Sequence, residues 1–244
     1  RAAGLLEGCT TNLQENNYDV QVFDNVVADP PDHLIAKAVD SARSFGANCI
    51  VGLGGGSAMD TAKLVAALLV NGSTQTLEQM YGVGNVTGSR LPLIQIPTTA
   101  GTGSEVTPVS IVTAGHSKMG VSSPVLMADL AVLDGSLSAA LPRDVTAATG
   151  MDAMVHAIEA FTSVRLKNPV SDALALGALK LLHTHFETVT AASLPSSSSS
   201  YESMLAAREG MLVGACLAGE AFANAPVGGV HALAYPLGGT LKLP

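Results

Sequence analysis

Tryptophan is absent from the 244 residues, and aromatic side chains of all kinds make up only 4% of them. That scarcity argues against an aromatic-rich binding module and suits an α/β or helical enzyme. Basic residues are also few: 12 Lys and Arg face 20 Asp and Glu, for a net charge of −8. Nucleic acid and anionic membrane both reward a basic face, so neither is an expected partner. Cysteine is confined to Cys9, Cys49 and Cys216. Their wide spacing forms no CxxC pair, so it suggests neither a disulfide framework nor a structural zinc site and leans towards a reducing compartment. No uninterrupted apolar run approaches the roughly 18 residues of a membrane span. The chain opens on Arg1 without a basic-then-apolar leader, and it is expected to be incomplete at that end.

With 48% apolar residues, a chain of this length supports one large domain or two modest ones. The stretch from Arg1 to Asn17 reads as a weak helix. Tyr18–Phe23 alternates as a half-buried strand would. Asp29-Pro30-Pro31 is a turn, from which Asp32 caps a helix running to Phe45 and closed by Gly46. Cys49–Leu53, Leu91–Ile96 and Leu130–Leu133 read as strands. Strands alternating with helices predict a parallel sheet with both faces covered. After Pro142 the texture changes to three helices, Arg143–Ser163, Pro169–Thr190 and Tyr201–Asn224, the last two joined by a serine-rich loop ending at Ser200. The expected architecture is an α/β domain over 1–140 followed by an all-helical domain over 141–244.

Two loops could bind a ligand. Gly54-Gly55-Gly56-Ser57 lies between an apolar strand and the helical run Asp60–Val70. Such a loop can bring backbone N–H groups and a helix dipole to a phosphate, or it can be a tight turn with no ligand. Ser57 with Asp60 three residues on resembles a capping box. A ribose-reading acid is expected about 20 residues further on, near Glu78, although Glu78 does not end a strand. The second loop, Pro97–Glu105, sets threonines and glycines at a strand's carboxyl end, where α/β sheets place ligands, or where a turn satisfies its own backbone. Asp152 and His156 stand at i and i+4 of a helix, so one face offers a carboxylate and an imidazole to a divalent cation or to each other. His231, among apolar residues and glycines, reads as a core or interface histidine unless it serves as a third ligand. His183 and His185 read as solvated or structural, and His33 and His116 as loop residues.

Taken together, GGGSAMDTAK (Gly54–Lys63), PTTAGTGSEVT (Pro97–Thr107), the Leu141–Ser163 segment containing ATGMDAMVHAIEAFTS, and GGVHALAYPLGG (Gly228–Gly239) resemble the iron-containing (group III) alcohol dehydrogenase family. The resemblance implies NAD or NADP held by Gly54, Gly55, Gly56, Ser57 and Asp60, with Thr98, Thr99 and Thr102 lining the cofactor. It implies Asp152, His156 and His231 as ligands of Fe²⁺, with Zn²⁺ in some members. A further histidine ligand of the family would follow Pro244. Tyr235 stands where many members place a proton-relay histidine, and Asp29-Pro30 stands where they have Asn-Pro. The implied reaction is hydride exchange between nicotinamide and a small alcohol or aldehyde, in a cytoplasmic homo-oligomer or, given the missing N-terminus, an organellar one. Two alternatives are a lyase of the dehydroquinate synthase type and an inactive truncated product. The first would need more Lys and Arg for an anionic substrate than the 12 here.

Overall fold

A computed structural model describes residues 4–70, 74–115, 117–191, 198–226 and 228–241, excepting the side chains of 235, 236 and 238–241. The chain opens with α1 (Leu5–Glu15) and continues into α2 (Asp32–Phe45). Helix α2 buries Leu34, Ile35, Ala38 and Val39, one stripe of its surface, and ends at Gly46 in the left-handed region (φ 75°). Pro31, not Asp32, is its cap; Asp32 lies in the first turn and its carboxylate accepts the His33 N–H at 2.6 Å. Tyr18–Phe23 joins no ladder among the described residues. Its alternation reflects burial rather than pairing, because Phe23 packs on the same core as α2.

Strand β1 (Ile50–Gly54) leads through the glycine loop into α3 (Gly56–Leu68), then α4 (Leu77–Met80), β2 (Gly82–Val83) and β3 (Leu93–Pro97). After β3 come β4 (Val109–Ala114), β5 (Ser117–Ser122) and β6 (Leu130–Ala131). One parallel sheet has the order β1-β3-β6, as the alternation of elements predicts. Its register sets Gly54 opposite Pro97, so the two loops leave the sheet side by side. A second sheet, β2-β5-β4, contains an antiparallel β4–β5 pair that sequence reading misses. Segments such as SKMGVS carry little β-branched or alternating signal, and the pairing comes from tertiary context. The expected capping box is absent: α3 begins at Gly56 with Gly55 as its cap, and the Ser57 hydroxyl instead accepts the Asp29 N–H at 3.3 Å.

The second half consists of α5 (Arg143–Thr162), α6 (Pro169–Thr190), α7 (Ser198–Asn224) and α8 (Gly229–Leu241). Asn168 caps α6 by accepting the N–H groups of Val170 and Ser171, with Pro169 in the first helical position. Residues 198–200 of the serine run form the first turn of α7 instead of a loop, and 192–197 lie outside the described residues. The core between α5, α6 and α7 is alanine-rich, with Ala153, Ala157, Ala160, Ala175, Ala178, Ala215, Ala218 and Ala221 around Leu182, Met211 and Leu212. Each larger member of that core contributes about 1.5–3 kcal/mol by leaving water. Small residues also join the two halves. Gly103, at φ 61°, lies so near α7 that a Cβ there would stand 2.6 Å from the Gly219 Cα.

Candidate active site

The glycine loop and the threonine loop touch. A Cβ on Gly55 would stand 3.3 Å from Thr99 Oγ1, and one on Gly56 would stand 2.8 Å from Thr102 Cγ2. The Thr98 N–H donates to the Gly54 carbonyl at 2.9 Å. Gly54, Gly55, Gly56, Thr98, Thr99 and Thr102 therefore share one surface at the N-terminus of α3, where unpaired amides and the helix dipole favour an anion. Asp60, one turn into α3, turns to the second loop: its carboxylate accepts the Ser104 hydroxyl at 2.6 Å and the Ile111 N–H at 2.9 Å. Glu78 sits exposed in the first turn of α4. Bonds from that turn's own backbone and from Thr76 hold its carboxyl below its ordinary value.

Lys63, which sequence reading left without a role, is fully buried beneath these loops. Its ammonium donates to Ser104 Oγ (2.8 Å), Thr107 Oγ1 (3.3 Å) and the Val109 carbonyl (2.7 Å), matching its three protons, with Asp60 Oδ1 at 3.6 Å. Burial drives its pKa down, and the charges of Asp60 and Glu105 oppose that fall. The network fixes the second loop against the helix that carries the first.

The metal candidates converge. Asp152 and His156 project from α5 and His231 from α8, with ligand atoms all within 4.8 Å of one another. His231 Nε2 lies 3.6 Å from Asp152 Oδ1, and His156 Nδ1 lies 3.9 Å from Asp152 Oδ2. The two imidazoles stack at 4.5 Å between centroids, with Phe222 stacked at 5.0 Å on the far side of His156. His156 Nδ1 is buried and makes no hydrogen bond among the described residues, an arrangement that calls for a missing partner. Donors about 2.0–2.2 Å from a shared ion stand up to about 4.4 Å apart, so closure by a few tenths of an ångström forms a shell. One carboxylate and two imidazoles suit Fe²⁺ or Zn²⁺. The residues present therefore fit a divalent cation.

Electrostatics agree. Burial opposes the Asp152 charge, but the His231 bond and the two imidazoles outweigh it and hold the carboxyl low. Burial pushes His156 down, leaving a neutral ring suited to ligation. Bonding to Asp152 raises His231 against burial, with help from Glu159. Glu159 is a site residue that sequence reading missed: its buried carboxylate meets His231 Nδ1 at 2.5 Å. Its position at i+7 from Asp152 and i+3 from His156, on an otherwise apolar stripe, was the available signal. Gly101 of the threonine loop packs on Thr149 of α5, and its backbone lies against the His156 ring. The Asp152–His156–His231 cluster thus adjoins the glycine and threonine loops. His33 and His183 are exposed, His185 packs on Gly210, and His116 lies outside the described residues. Tyr235 belongs to α8, and its side chain lies outside the described residues.

A parallel-sheet unit with paired glycine and threonine loops, followed by a helical unit carrying an Asp-His-His cluster, defines a class of dinucleotide- and metal-binding fold. Residues 1–135 match the model of the iron-containing alcohol dehydrogenase family, and residues 146–244 match that of the family's C-terminal region. The chain belongs to the iron-containing alcohol dehydrogenase family. It is 43% identical over 241 residues to long-chain-alcohol dehydrogenase 1 of Geobacillus thermodenitrificans, covering 98% of this chain and 58% of that protein. The crystal structure of a 1,3-propanediol oxidoreductase superposes with a TM-score of 0.90 at 34% identity, over 99% of this chain and 60% of that one. Sulfoacetaldehyde reductase from Bifidobacterium kashiwanohense, solved in complex with NAD⁺, gives 0.85 at 28% identity, over 98% and 62%. This chain spans about three fifths of the length of these relatives.

Proposed function

We propose that this chain carries the cofactor and metal sites of an NAD(P)-linked, metal-dependent alcohol dehydrogenase acting between a small alcohol and its aldehyde or ketone. The observation that carries the reading is the meeting of Asp152, His156 and His231 beside Gly101, a residue of the threonine loop. Residues 1–140 are the cofactor unit and 141–244 the metal unit. Gly54, Gly55, Gly56 and Ser57 cradle the pyrophosphate with backbone amides, while Thr98, Thr99 and Thr102 line the cofactor and Asp60 holds their loop in place through Ser104. Asp152, His156 and His231 hold Fe²⁺ or Zn²⁺. When bound, such an ion polarises an alcohol or carbonyl oxygen, and the nicotinamide supplies or accepts hydride.

The chain's own contribution is alignment and exclusion of water. The Lys63 network keeps the nucleotide loop rigid, and the Phe222–His156–His231 stack walls one side of the cluster. Tyr235, one helical turn beyond His231, is the proposed proton-relay position. The NAD⁺ complex of the sulfoacetaldehyde reductase relative supports a nicotinamide cofactor here. No described helix is long and apolar enough to cross a membrane. The three unbridged cysteines fit a reducing, cytoplasmic setting. Exposed Met151, Ile158, Leu233 and Leu237 offer apolar surface for a homo-oligomer.

The test is NADH oxidation with a small aldehyde such as propanal, before and after chelation, in the whole protein. Turnover should vanish with chelator, return with Fe²⁺ or Zn²⁺, and stay absent in Asp152→Ala. Turnover that survives metal removal would reject the reading.

A further inference from the structure

We propose that Glu159 is the positioning residue of the metal site: one carboxylate oxygen docks helix α8 and the other aims His231 at the ion. The inference rests on the metal site proposed above. Glu159 Oε1 accepts the Val230 N–H at 2.6 Å, and the Gly228 backbone also bonds the carboxylate. These amides belong to the N-terminal end of α8, where backbone donors lack helical acceptors and an anion is favoured. Glu159 Oε2 meets His231 Nδ1 at 2.5 Å. An ionised carboxylate only accepts, so Nδ1 carries a proton, and Nε2, the atom 3.6 Å from Asp152, is the nitrogen left to face a cation. The carboxylate thus selects both the ligand nitrogen and the ring's orientation.

The rest of α8 makes this contact decisive. Val230, Leu233 and Leu237 are 55%, 64% and 44% exposed, and His231 at 8% is the one buried side chain among the described residues of the helix. Apart from the approach to α5, the helix also nears β5. Its apolar residues face outward, so hydrophobic burial within the described chain does little to seat it. Helix α5 therefore supplies two ligands at Asp152 and His156, and one helical stripe later the group that presents the third.

The experiment titrates Co²⁺ into metal-free wild type, Glu159→Gln and Glu159→Asp, reading affinity, visible absorption and amide exchange along α8. Gln keeps the volume, but its single acceptor oxygen serves either Val230 or His231. Asp keeps the charge and falls one methylene short. Each should bind Co²⁺ about 10–100-fold more weakly, alter the absorption bands and exchange α8 amides faster. In the wild type, imidazole NMR should show the proton on His231 Nδ1, a readout that survives if a variant fails to fold. Gln-variant binding within about twofold of wild type with the same spectrum, or an Nδ1 without a proton in the metal-free wild type, overturns the inference while the metal site stands. A wild type that binds no Co²⁺ overturns the metal site and the inference together.

Discussion

The two halves of the site are held by opposite strategies. The glycine and threonine loops are short in sequence, touch through glycine backbone, and rest on Lys63, buried and bonded to Ser104, Thr107 and Val109. The Asp-His-His cluster draws on two helices, with 72 positions between Glu159 and His231, and its third member arrives on a helix with one buried described side chain. The first region is tied together by hydrogen bonds that need no ligand. The second depends on a polar pair that a cation reinforces. A phosphate cradle needs fixed backbone amides, which a buried ionic staple secures. A metal shell tolerates weaker docking because the ion itself contributes to closure.

The largest expected effect comes from breaking the rigid side. Lys63→Met removes the cation and leaves half-buried Asp60 and buried Ser104 and Thr107 without it. Loss of one partner of a buried ionic network destabilises by about 3–5 kcal/mol. Denaturant midpoints should fall accordingly and NADH affinity should fall with them, while Co²⁺ affinity per folded molecule stays near wild type. Equal loss of metal and nucleotide binding in the folded variant would show that the two halves are not separately supported.

Sequence and structure parted along the same line. The strand, glycine loop and helix around Gly54–Gly56 were legible because local rules govern them: an apolar run, residues that permit close backbone approach, a helical period. The Asp152–His156 pair was legible for the same reason, two candidate ligands one turn apart on α5. His231 entered through the family resemblance, since nothing local distinguishes a histidine among glycines and small apolar residues. Helix α8 went unrecognised because Pro236, Gly238 and Gly239 read as breakers. Glu159 and Lys63 were missed because their meaning lies in partners 72 and 41–46 residues away. The capping box failed for a physical reason: Gly55 already occupies the cap, and Ser57 is drawn to Asp29.

A smaller effect sharpens the contrast from the metal side. Zn²⁺ at a hundred times its dissociation constant should raise unfolding free energy by about 2.7 kcal/mol if it binds only the folded state. The gain should disappear in Asp152→Ala at the same Zn²⁺ concentration. NADH at the same excess over its own constant should stabilise wild type and Asp152→Ala alike. A Zn²⁺ gain that persists in the variant would place the ion elsewhere.

The smallest effect concerns Glu105, which lies between the regions near the Gly103–Gly219 contact. Glu105 is 3% exposed, and burial pushes its carboxyl up to about 7, against its own backbone bond and the Lys63 charge and with help from Glu220. Cys216, raised to about 12 by burial and by these two acids, stays a thiol throughout. The ordinary value for Glu is 4.5, so between there and 7 the folded chain binds more protons than the unfolded one. Stability from this group is therefore full below 4.5 and declines as pH rises to 7, levelling off above. Full conversion of such a shift approaches about 3 kcal/mol, and local relaxation around the buried group reduces the expected decline to roughly 1–2 kcal/mol. Glu105→Gln keeps the uncharged shape, so its stability profile should lack that decline and exceed wild type at pH values above 7. Parallel profiles for the two chains would mean that Glu105 keeps its charge beneath the loop, with Lys63 compensating it fully, and the boundary between the rigid and the metal-dependent halves would then be insensitive to protons.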